Sequence, residues 1–295
     1  MELEKIIRDT AKNLLKLSAI VLPPTVEKAL RDAYERTPEG PGKVQLKAII
    51  DNIEAAKRLK KPICQDTGVV SFYLKVGDDF PLKSGLKRIL TEATVEATRE
   101  VPLRPNAVEI LGSNTGTNVG TNIPWVVIEL TEGDYLEITA FPKGGGSTNV
   151  SQVKMLSPGL GMKGVLTFYI DSLLNAGAAG CPPYFVGVGI GGGENVCVEL
   201  AKKALLRPIG VRAEGELGKL EEKMIEAGNL LKIGAMGTGE GPTVLNVSIE
   251  TACRHPASLP VAIVFSCWAL RYSTARVAKS GEVEYLTHRG IVLGT

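Results

Sequence analysis

A cysteine, an amide, a carboxylate and a hydroxyl follow one another on a single predicted turn. The segment reads Cys64-Gln65-Asp66-Thr67-Gly68 and lies between a predicted helix and a predicted strand. Such groups act on a ligand when a rigid scaffold holds their loop. The alternative is a structural turn in which Asp66 and Thr67 satisfy backbone donors. The turn is therefore the first candidate for a functional site.

Two glycine-rich segments could bind an anion. They read Gly112-Ser113-Asn114-Thr115-Gly116-Thr117-Asn118 and Lys143-Gly144-Gly145-Gly146-Ser147-Thr148-Asn149. Both offer backbone N–H groups and small hydroxyls, which form anion-binding concavities. Neither fits the phosphate-loop pattern GxxxxGK followed by Ser or Thr, so a nucleotide is not implied. Taken alone, the pair is more simply interpreted as two structural turns.

The chain has five cysteines, an odd number, and no CxxC pair. In a reducing compartment such thiols are free or act as ligands rather than forming disulfides. Cys181 comes just before a predicted buried strand and Cys267 ends another. Because open sheets present ligands at strand ends, both are candidates, with packing as the alternative. Cys197 and Cys253 are predicted to be core residues, with a supporting position behind the site as the alternative for Cys253, which is adjacent to Arg254 and His255.

His255 is one of only two histidines, and it lies in a predicted loop before a strand. Histidine titrates near neutral pH, so it can carry a proton during catalysis. A structural histidine is the alternative interpretation. His288 has no partner motif and is not a candidate.

A GxGxxG pattern favours a competing hypothesis, a dinucleotide-binding fold. Gly187-Val188-Gly189-Ile190-Gly191-Gly192 lies between a predicted strand and a predicted helix, which is the expected context. The pattern is weak here, because glycine makes up 33 of the 295 residues. No clear second strand ends in an acidic residue about 20 residues on, since Leu206-Arg207-Pro208 intervenes. A dinucleotide-binding protein is therefore the distant alternative.

Hydrophobic periodicity predicts the elements that position these residues. Apolar residues recur at helical spacing over residues 1–60, and strand-like and helical stretches alternate over residues 61–295. Pro124 to Leu130 is apolar on both faces, which predicts a central strand, and Arg271 to Lys279 is predicted to be helical. We therefore expect an α+β fold in one domain, with a helical lobe at 1–60 and a mixed region at 61–295.

Composition excludes several classes of protein. Hydrophobic residues make up 44%, and 34 basic against 32 acidic residues leave a net charge of +2, which argues against disorder and against a nucleic-acid or anionic-membrane partner. The longest apolar run, Leu259 to Leu270, is too short to span a membrane. The first residues lack the continuous apolar stretch of a signal peptide, so we expect a cytoplasmic protein.

Together the motifs resemble the class I, iron–sulfur fumarate hydratases and the related L-tartrate dehydratases. Six segments occur in the family's order, from about Cys64 to Arg271, and the N-terminal helices fit as well. The segments are Cys64 to Gly68, Asn114 to Asn118, Lys143 to Ser147, Gly180 to Tyr184, Arg254-His255 and Ser266-Cys267. One departure follows the last cysteine, where Trp268-Ala269-Leu270 replace the small and acidic residues of many relatives.

The resemblance implies a hydro-lyase that hydrates fumarate reversibly to L-malate, with L-tartrate dehydratase as the alternative. It implies a [4Fe–4S] cluster held by Cys64, Cys181 and Cys267. With three thiolates instead of four, one iron would keep an open position and act as a Lewis acid.

The remaining site residues are also carried over from the family. Asp66 and His255 correspond to the acid–base pair, with the two roles unassigned. Gln65, Arg104 and Gly145 correspond to substrate-binding positions, and arginine suits a carboxylate ligand. Arg104 rests on the looser local match of Pro102-Leu103-Arg104-Pro105-Asn106.

The resemblance covers the α half of the family, so it implies a separate β subunit and suggests an α2β2 assembly. A structural or regulatory subunit with a degenerate site is a further alternative. The presence of all three thiols and of both acid–base residues argues against that alternative.

Overall fold

The computed structural model describes residues 2–101 and 103–291. Pro102, which belongs to the segment that carries Arg104, lies outside the described residues. The helices are α1 Glu2–Ile20, α2 Pro24–Arg36, α3 Pro41–Leu59, α4 Leu86–Glu100, α5 Gly145–Asn149, α6 Gly161–Ala176, α7 Glu194–Leu205 and α8 Glu216–Leu230. The strands are β1 Val69–Gly77, β2 Trp125–Thr131, β3 Tyr135–Lys143, β4 Gln152–Leu156, β5 Tyr184–Gly192, β6 Val244–Arg254, β7 Leu259–Ser266, β8 Ser273–Ala278 and β9 Val283–Tyr285.

The chain divides into two compact units. The first contains the described residues up to Pro24, Asn52–Gly144 and those from Arg271 onward. Its five-stranded sheet has the order β2-β1-β3-β8-β9. Helices α1 and α4 pack together, and apolar residues of both join those of β1, β3 and β8 in one core. A sheet that buries an apolar face against two amphipathic helices is a stable layered arrangement.

The second unit contains Thr25–Asp51 and Gly145–Leu270. Its sheet has the order β4-β7-β5-β6, with β5 parallel to β6 and antiparallel to β7. Helix α7 packs against β5, β6 and β7, while residues of α6 and α8 share a core with Val186 and Val188 of β5. Because alternate residues of a strand point to opposite faces, the helices cover both faces of this sheet. The strand β5 is accordingly buried from Tyr184 to Gly191.

The predicted α+β class is confirmed, and two local predictions are wrong. Arg271 to Lys279, predicted to be helical, contains β8, whose Ser273 to Ala278 pair with β3 in an antiparallel ladder. Arg276 there bonds the carboxylate of Glu137 on β3 at 2.9 Å. This pairing joins residues far apart in sequence, so local periodicity could not predict it.

Strand β2 lies at an edge of the sheet, although its apolar sequence predicted a central position. Among the described strands it pairs with β1 alone, in parallel, and β3 lies on the other side of β1. Trp125 and Leu130 are therefore 47% and 75% exposed.

The first sixty residues form helices as predicted. These helices contribute residues to both units. The boundary between the two units falls inside α3, between Asp51 and Asn52. The single-domain organisation stays a prediction. None of the described helices combines the length and the apolar character that crossing a membrane requires.

Candidate active site

Three chain segments meet at one edge of the five-stranded sheet in the first unit. Val69 at the start of β1 pairs with Lys143 at the end of β3, and Ala140 of β3 pairs with Ser273 at the start of β8. This register brings together the loop before β1, the residue after β3 and the residues before β8. We call this the Asp66 edge; it contains Asp66, Gly144 and Arg271.

The loop at the Asp66 edge has a fixed conformation. The Gly68 N–H donates to Asp66 Oδ1 at 3.0 Å, which closes a tight turn around the carboxylate. Gly68 has φ +88°, and a Cβ there would lie 2.7 Å from the carbonyl carbon of Pro142. Glycine is therefore required at position 68, two residues after Asp66, because any side chain there would clash with β3 and strain the backbone.

Arg104 is attached to the same loop through two side chains. The Thr67 hydroxyl donates to the Arg104 carbonyl at 3.2 Å, and the Asn106 amide donates to the Gly68 carbonyl at 3.2 Å. Arg104 is exposed, as is Gln65, whereas Asp66 is half-buried. The first unit thus brings Gln65, Asp66 and Arg104 into one neighbourhood, with a cation and an amide facing solvent.

Arg271 is a residue at this edge that the sequence reasoning missed. Its Nη2 donates to the Asp66 carbonyl at 2.8 Å, and the residue is only 3% exposed. A buried arginine is rare, and it directly follows the apolar run that contains β7. That position was the available signal, but the segment was interpreted only as the start of a helix.

The second unit brings together two of the three cysteines that are predicted to hold the cluster. Phe185 near the start of β5 pairs with Ser266 at the end of β7, so the residue before one strand lies beside the residue after the other. The Trp268 N–H donates to the Cys181 carbonyl at 3.2 Å. Both Cys181 and Cys267 are free thiols of intermediate exposure. We call this the Cys181 edge.

Tyr184 anchors the turn that carries Cys181. Its hydroxyl donates to the Gly177 carbonyl at 2.8 Å and accepts from the Gly180 N–H at 3.0 Å. Burial, together with the nearby sulfurs of Cys181 and Cys267, raises the pKa of Tyr184 to about 12. The hydroxyl therefore stays protonated and keeps its role as a donor at neutral pH.

Cys181 has a left-handed backbone conformation, with φ +59°. Non-glycine residues in sparsely populated regions cost on the order of 1 kcal/mol or more and cluster at functional sites. The conformation is held from both sides, because Met236 N–H donates to the Pro182 carbonyl at 2.7 Å. A glycine would adopt this conformation without that strain.

Gly145 begins the short helix α5, which is attached to β7 near its Cys267 end. The Ser151 hydroxyl donates to the Ser147 carbonyl at 2.9 Å and accepts from the Phe265 N–H at 3.1 Å. Gly146 also approaches the Cys181 turn, since a Cβ on it would lie 3.8 Å from the Ala179 carbonyl oxygen. The glycine segment that begins at Gly145 thus lies beside the Cys181 edge.

His255 lies at the opposite end of this sheet. Arg254 pairs with Gly192 at the far end of β5, eight residues from Tyr184, or about 26 Å at about 3.3 Å per residue. His255 follows directly and is exposed, with Nδ1 accepting from the Ala257 N–H at 3.1 Å. Within the second unit, the structure does not bring His255 to Cys181 and Cys267.

The other two cysteines differ from each other. Cys197 is fully buried as predicted, its thiol donates to the Glu194 carbonyl, and burial raises the pKa of that thiol. Cys253 is exposed, so its predicted core position is wrong. It lies on the last residues of β6, which extend beyond the helices that cover the sheet.

The GxGxxG glycines serve the packing of α7 on β5. A Cβ on Gly187 would lie 1.9 Å from the Ala201 carbonyl oxygen, and one on Gly189 would lie 1.8 Å from that of Cys197. Both glycines are buried inside the strand, where their backbone faces a helix and not a ligand. The mixed sheet with an antiparallel β7 also differs from the parallel sheet of a dinucleotide-binding fold.

The two units supply different parts of the predicted cluster ligands. Cys64, of intermediate exposure, precedes Asp66 on the loop of the first unit, and Cys181 and Cys267 belong to the second. Within either unit, the described residues contain no group of three or more His, Cys, Asp or Glu that could hold a metal ion.

Comparison with known proteins identifies the family. The profile of the family described as "Fumarate hydratase (Fumerase)" matches residues 8–276. The chain therefore belongs to the class I fumarate hydratase family, whose members are hydro-lyases.

Individual members of that family are similar to this chain over nearly its whole length. A protein of Methanocaldococcus jannaschii provisionally named L(+)-tartrate dehydratase subunit alpha is 46% identical over 277 residues, covering 92% of this chain and 97% of the relative. The L(+)-tartrate dehydratase subunit alpha of Escherichia coli (strain UTI89) is 37% identical over 285 residues, covering 96% and 94%. Its counterpart from strain K12 is 36% identical over the same length.

Proposed function

We propose that this chain is the α subunit of a [4Fe–4S]-dependent hydro-lyase that dehydrates L-tartrate. The observation that carries the proposal is the pairing of Cys181 with Cys267 at one sheet edge, in a chain similar along nearly its whole length to L(+)-tartrate dehydratase α subunits. Hydration of fumarate to L-malate is the second candidate, favoured by the description of the matching family.

The donor set fits an iron–sulfur cluster. Thiolates are the ligands that such clusters take. Cys181 keeps a strained backbone, and its carbonyl accepts from the N–H of Trp268, the residue after Cys267. We assign Cys64 as the third ligand from its place next to Gln65 and Asp66. Cys197, on the buried face of α7, and Cys253, at the far end of β6, are excluded from the ligand set by their positions.

When bound, a cluster with three thiolate ligands supplies an iron with an open position, which acts as a Lewis acid on a substrate hydroxyl and carboxylate. Around it, this chain's residues bind and orient the substrate. Arg104 holds a carboxylate through its planar guanidinium, and the exposed Gln65 amide binds a second oxygen. Gly145 contributes a backbone N–H donor.

Asp66 is one of the two proposed proton-transfer residues, and the base of that pair takes a proton from the carbon adjacent to the one that loses its hydroxyl. Its turn fixes Oδ1 through the Gly68 N–H, so the carboxylate is preorganised before substrate arrives. Gln65 and Arg104 are both exposed, so their side chains are accessible to a diacid.

His255 is proposed as the second proton-transfer residue, and its position restricts where it can act. Because it lies about 26 Å along the sheet from the Cys181 edge, it cannot act at a cluster held by Cys181 of the same chain. The proposal for His255 therefore requires a second copy of the chain, as in an α2β2 enzyme. A β subunit, implied by the name "subunit alpha" of the relatives, would supply further basic residues for the substrate's second carboxylate.

The experiment is a substrate comparison with the holoenzyme. The chain is co-expressed with its β subunit, purified without oxygen and assayed with L-tartrate and L-malate. We expect kcat/KM to favour L-tartrate by about 100-fold or more, because a site built to hydrogen-bond a hydroxyl rejects an analogue that lacks it. A preference for L-malate would support the fumarate hydratase candidate instead. Turnover of neither substrate by an iron-loaded complex would contradict both.

A further inference from the structure

The charged side chain of Arg271 is hydrogen-bonded to the loop that carries Asp66. Its Nη2 donates to the Asp66 carbonyl at 2.8 Å, across the Asp66 edge from the start of β8. The residue is 3% exposed, so its charge is largely removed from solvent. Hydrogen bonds from a charged donor are about twice as strong as neutral ones, and in a buried setting they fix geometry well.

The guanidinium is held there at an energetic cost. Within the described residues, neither its Nε nor its Nη1 has a hydrogen-bond partner, although both atoms are buried. Burying a cation with unsatisfied donors is unfavourable, and an apolar side chain would fill the same space without that penalty. The cost points to a role for the charge that packing alone does not explain.

Gly144 shows that the carboxylate and the guanidinium converge. A Cβ on Gly144 would lie 3.1 Å from Asp66 Oδ2 and 3.6 Å from Arg271 Nη2. Because Gly144 has no side chain, the Asp66 carboxylate and the Arg271 guanidinium can both lie close to its Cα. Asp66 is thus held at Oδ1 by the Gly68 N–H and at its carbonyl by Arg271, with Oδ2 on the Arg271 side.

We propose that Arg271 is a positioning residue for Asp66: its buried guanidinium fixes the backbone of the loop and the direction of the carboxylate. This inference rests on the proposed function, in which Asp66 moves a proton of the substrate. Arg271 acts through Asp66 and does not itself bind substrate, so it should determine turnover and not affinity.

The test compares Arg271→Met and Arg271→Lys in the complex with the β subunit. We expect Arg271→Met to lower kcat by about 100-fold, the size of effect that a misplacement of about 1 Å produces. KM and the iron content per chain should stay near the wild-type values, because the loss concerns the transition state alone. Lysine, with one donor group that reaches the Asp66 carbonyl, should recover part of the lost kcat.

Arg276→Met is the matched control. Arg276 lies on β8 of the same unit, bonds Glu137 and also has an Nε without a partner among the described residues, but it is away from Asp66. We expect it to keep the wild-type kcat. Hydrogen–deuterium exchange of the peptide with residues 64–68 gives a second readout, and it should be faster in Arg271→Met than in Arg276→Met.

Three results would overturn the inference. They are a raised KM with unchanged kcat, wild-type kcat in Arg271→Met, and loss of iron and of folding in both Arg271 variants. The wild-type complex in the same assay separates this inference from the proposed function. If the wild type turns over neither L-tartrate nor L-malate, the function fails; if it does and the variants behave otherwise than expected, only the role of Arg271 fails.

Discussion

The backbone N–H of Trp268 donates a hydrogen bond of 3.2 Å to the carbonyl of Cys181. This contact joins the segment after β7 to the turn before β5, two places separated by most of the second unit's chain. Because β5 and β7 are antiparallel neighbours, the start of one and the end of the other fall at the same edge. A strained cysteine and a second thiol therefore meet at one point of the sheet.

The first prediction concerns the tyrosine below that point. Tyr184→Phe removes the hydroxyl that bonds Gly177 and leaves the Gly180 N–H without its acceptor. We expect the free energy of unfolding to fall by about 1–3 kcal/mol, the range for a buried group left unsatisfied. Urea denaturation measures the change, and iron content after reconstitution should fall as well, because the turn carries Cys181.

Tyr285→Phe is the control for that variant. Among the described residues, the Tyr285 hydroxyl accepts a single long bond of 3.4 Å, from Asn13 at the surface. Its removal should change the free energy of unfolding by no more than about 0.5 kcal/mol. Equal losses in the two variants would show that the Tyr184 hydroxyl has no special role in holding the turn.

The second prediction concerns pH and His288, a buried residue in the first unit. Its Nε2 lies 3.1 Å from the Val21 carbonyl, which can only accept, so Nε2 carries the hydrogen of the neutral ring. Its Nδ1 lies 2.8 Å from the Thr287 hydroxyl. Burial lowers the pKa of His288 below its ordinary value of 6.5, despite the opposing effect of the Val21 bond. In the folded protein the ring is therefore neutral over a range where the unfolded chain's histidine is charged.

The direction of the pH dependence follows from that shift. The unfolded chain binds the proton first as the pH falls, so this contribution to stability is complete above pH 6.5 and is lost as the pH falls from 6.5 through the folded pKa. Urea midpoints between about pH 7 and pH 5 should fall more steeply for the wild type than for His288→Gln. Parallel slopes would mean that His288 does not contribute.

The third prediction separates the packing role of the β5 glycines from a nucleotide-binding role. Gly189→Ala would place a methyl group 1.8 Å from the Cys197 carbonyl oxygen. We expect a loss of about 3 kcal/mol or more in the free energy of unfolding, or an insoluble protein, because α7 cannot retreat from the sheet. NAD should leave the melting temperature of the wild type unchanged, since a ligand raises it only by binding the folded state.

Gly193→Ala is the control, because Gly193 belongs to the same glycine-rich segment and lies four residues after Gly189. The closest atom to a Cβ at Gly193 is Asn195 Oδ1 at 3.4 Å, and its φ of −120° suits any residue. This variant should fold with nearly wild-type stability. A stable Gly189→Ala protein, or a wild type that NAD stabilises, would revive the dinucleotide hypothesis.

The sequence was sufficient to predict those elements that depend on the local pattern of apolar residues. Helical spacing of apolar residues predicted α1 and α3, and the continuous apolar run before Gly191 predicted the buried strand β5. The α+β class follows from these elements. Cys197 was correctly predicted as core, because its neighbours Val196 and Val198 lie in an amphipathic helix.

The sequence was insufficient where distant segments decide the structure. Residues 273–278 form a strand only because β3 offers them a ladder, and β2 lies at an edge only because β3 continues beyond β1. Cys253 was predicted to be buried because cysteine is usually a core residue, yet the last four residues of β6 are exposed. The apolar run before Arg271 marks that residue as a candidate buried cation, but its proximity to Asp66 depends on the pairing of β3 with β8.

The central claim is that Cys64, Cys181 and Cys267 hold one [4Fe–4S] cluster. The most direct measurement is iron and acid-labile sulfide per α chain, after anaerobic reconstitution of the complex with the β subunit, in the wild type and in single Cys→Ser variants. We predict about four of each in the wild type and in Cys197→Ser, and little of either in Cys64→Ser, Cys181→Ser or Cys267→Ser. A Cys197→Ser protein without iron, or a folded Cys181→Ser protein with a full complement, would contradict the account.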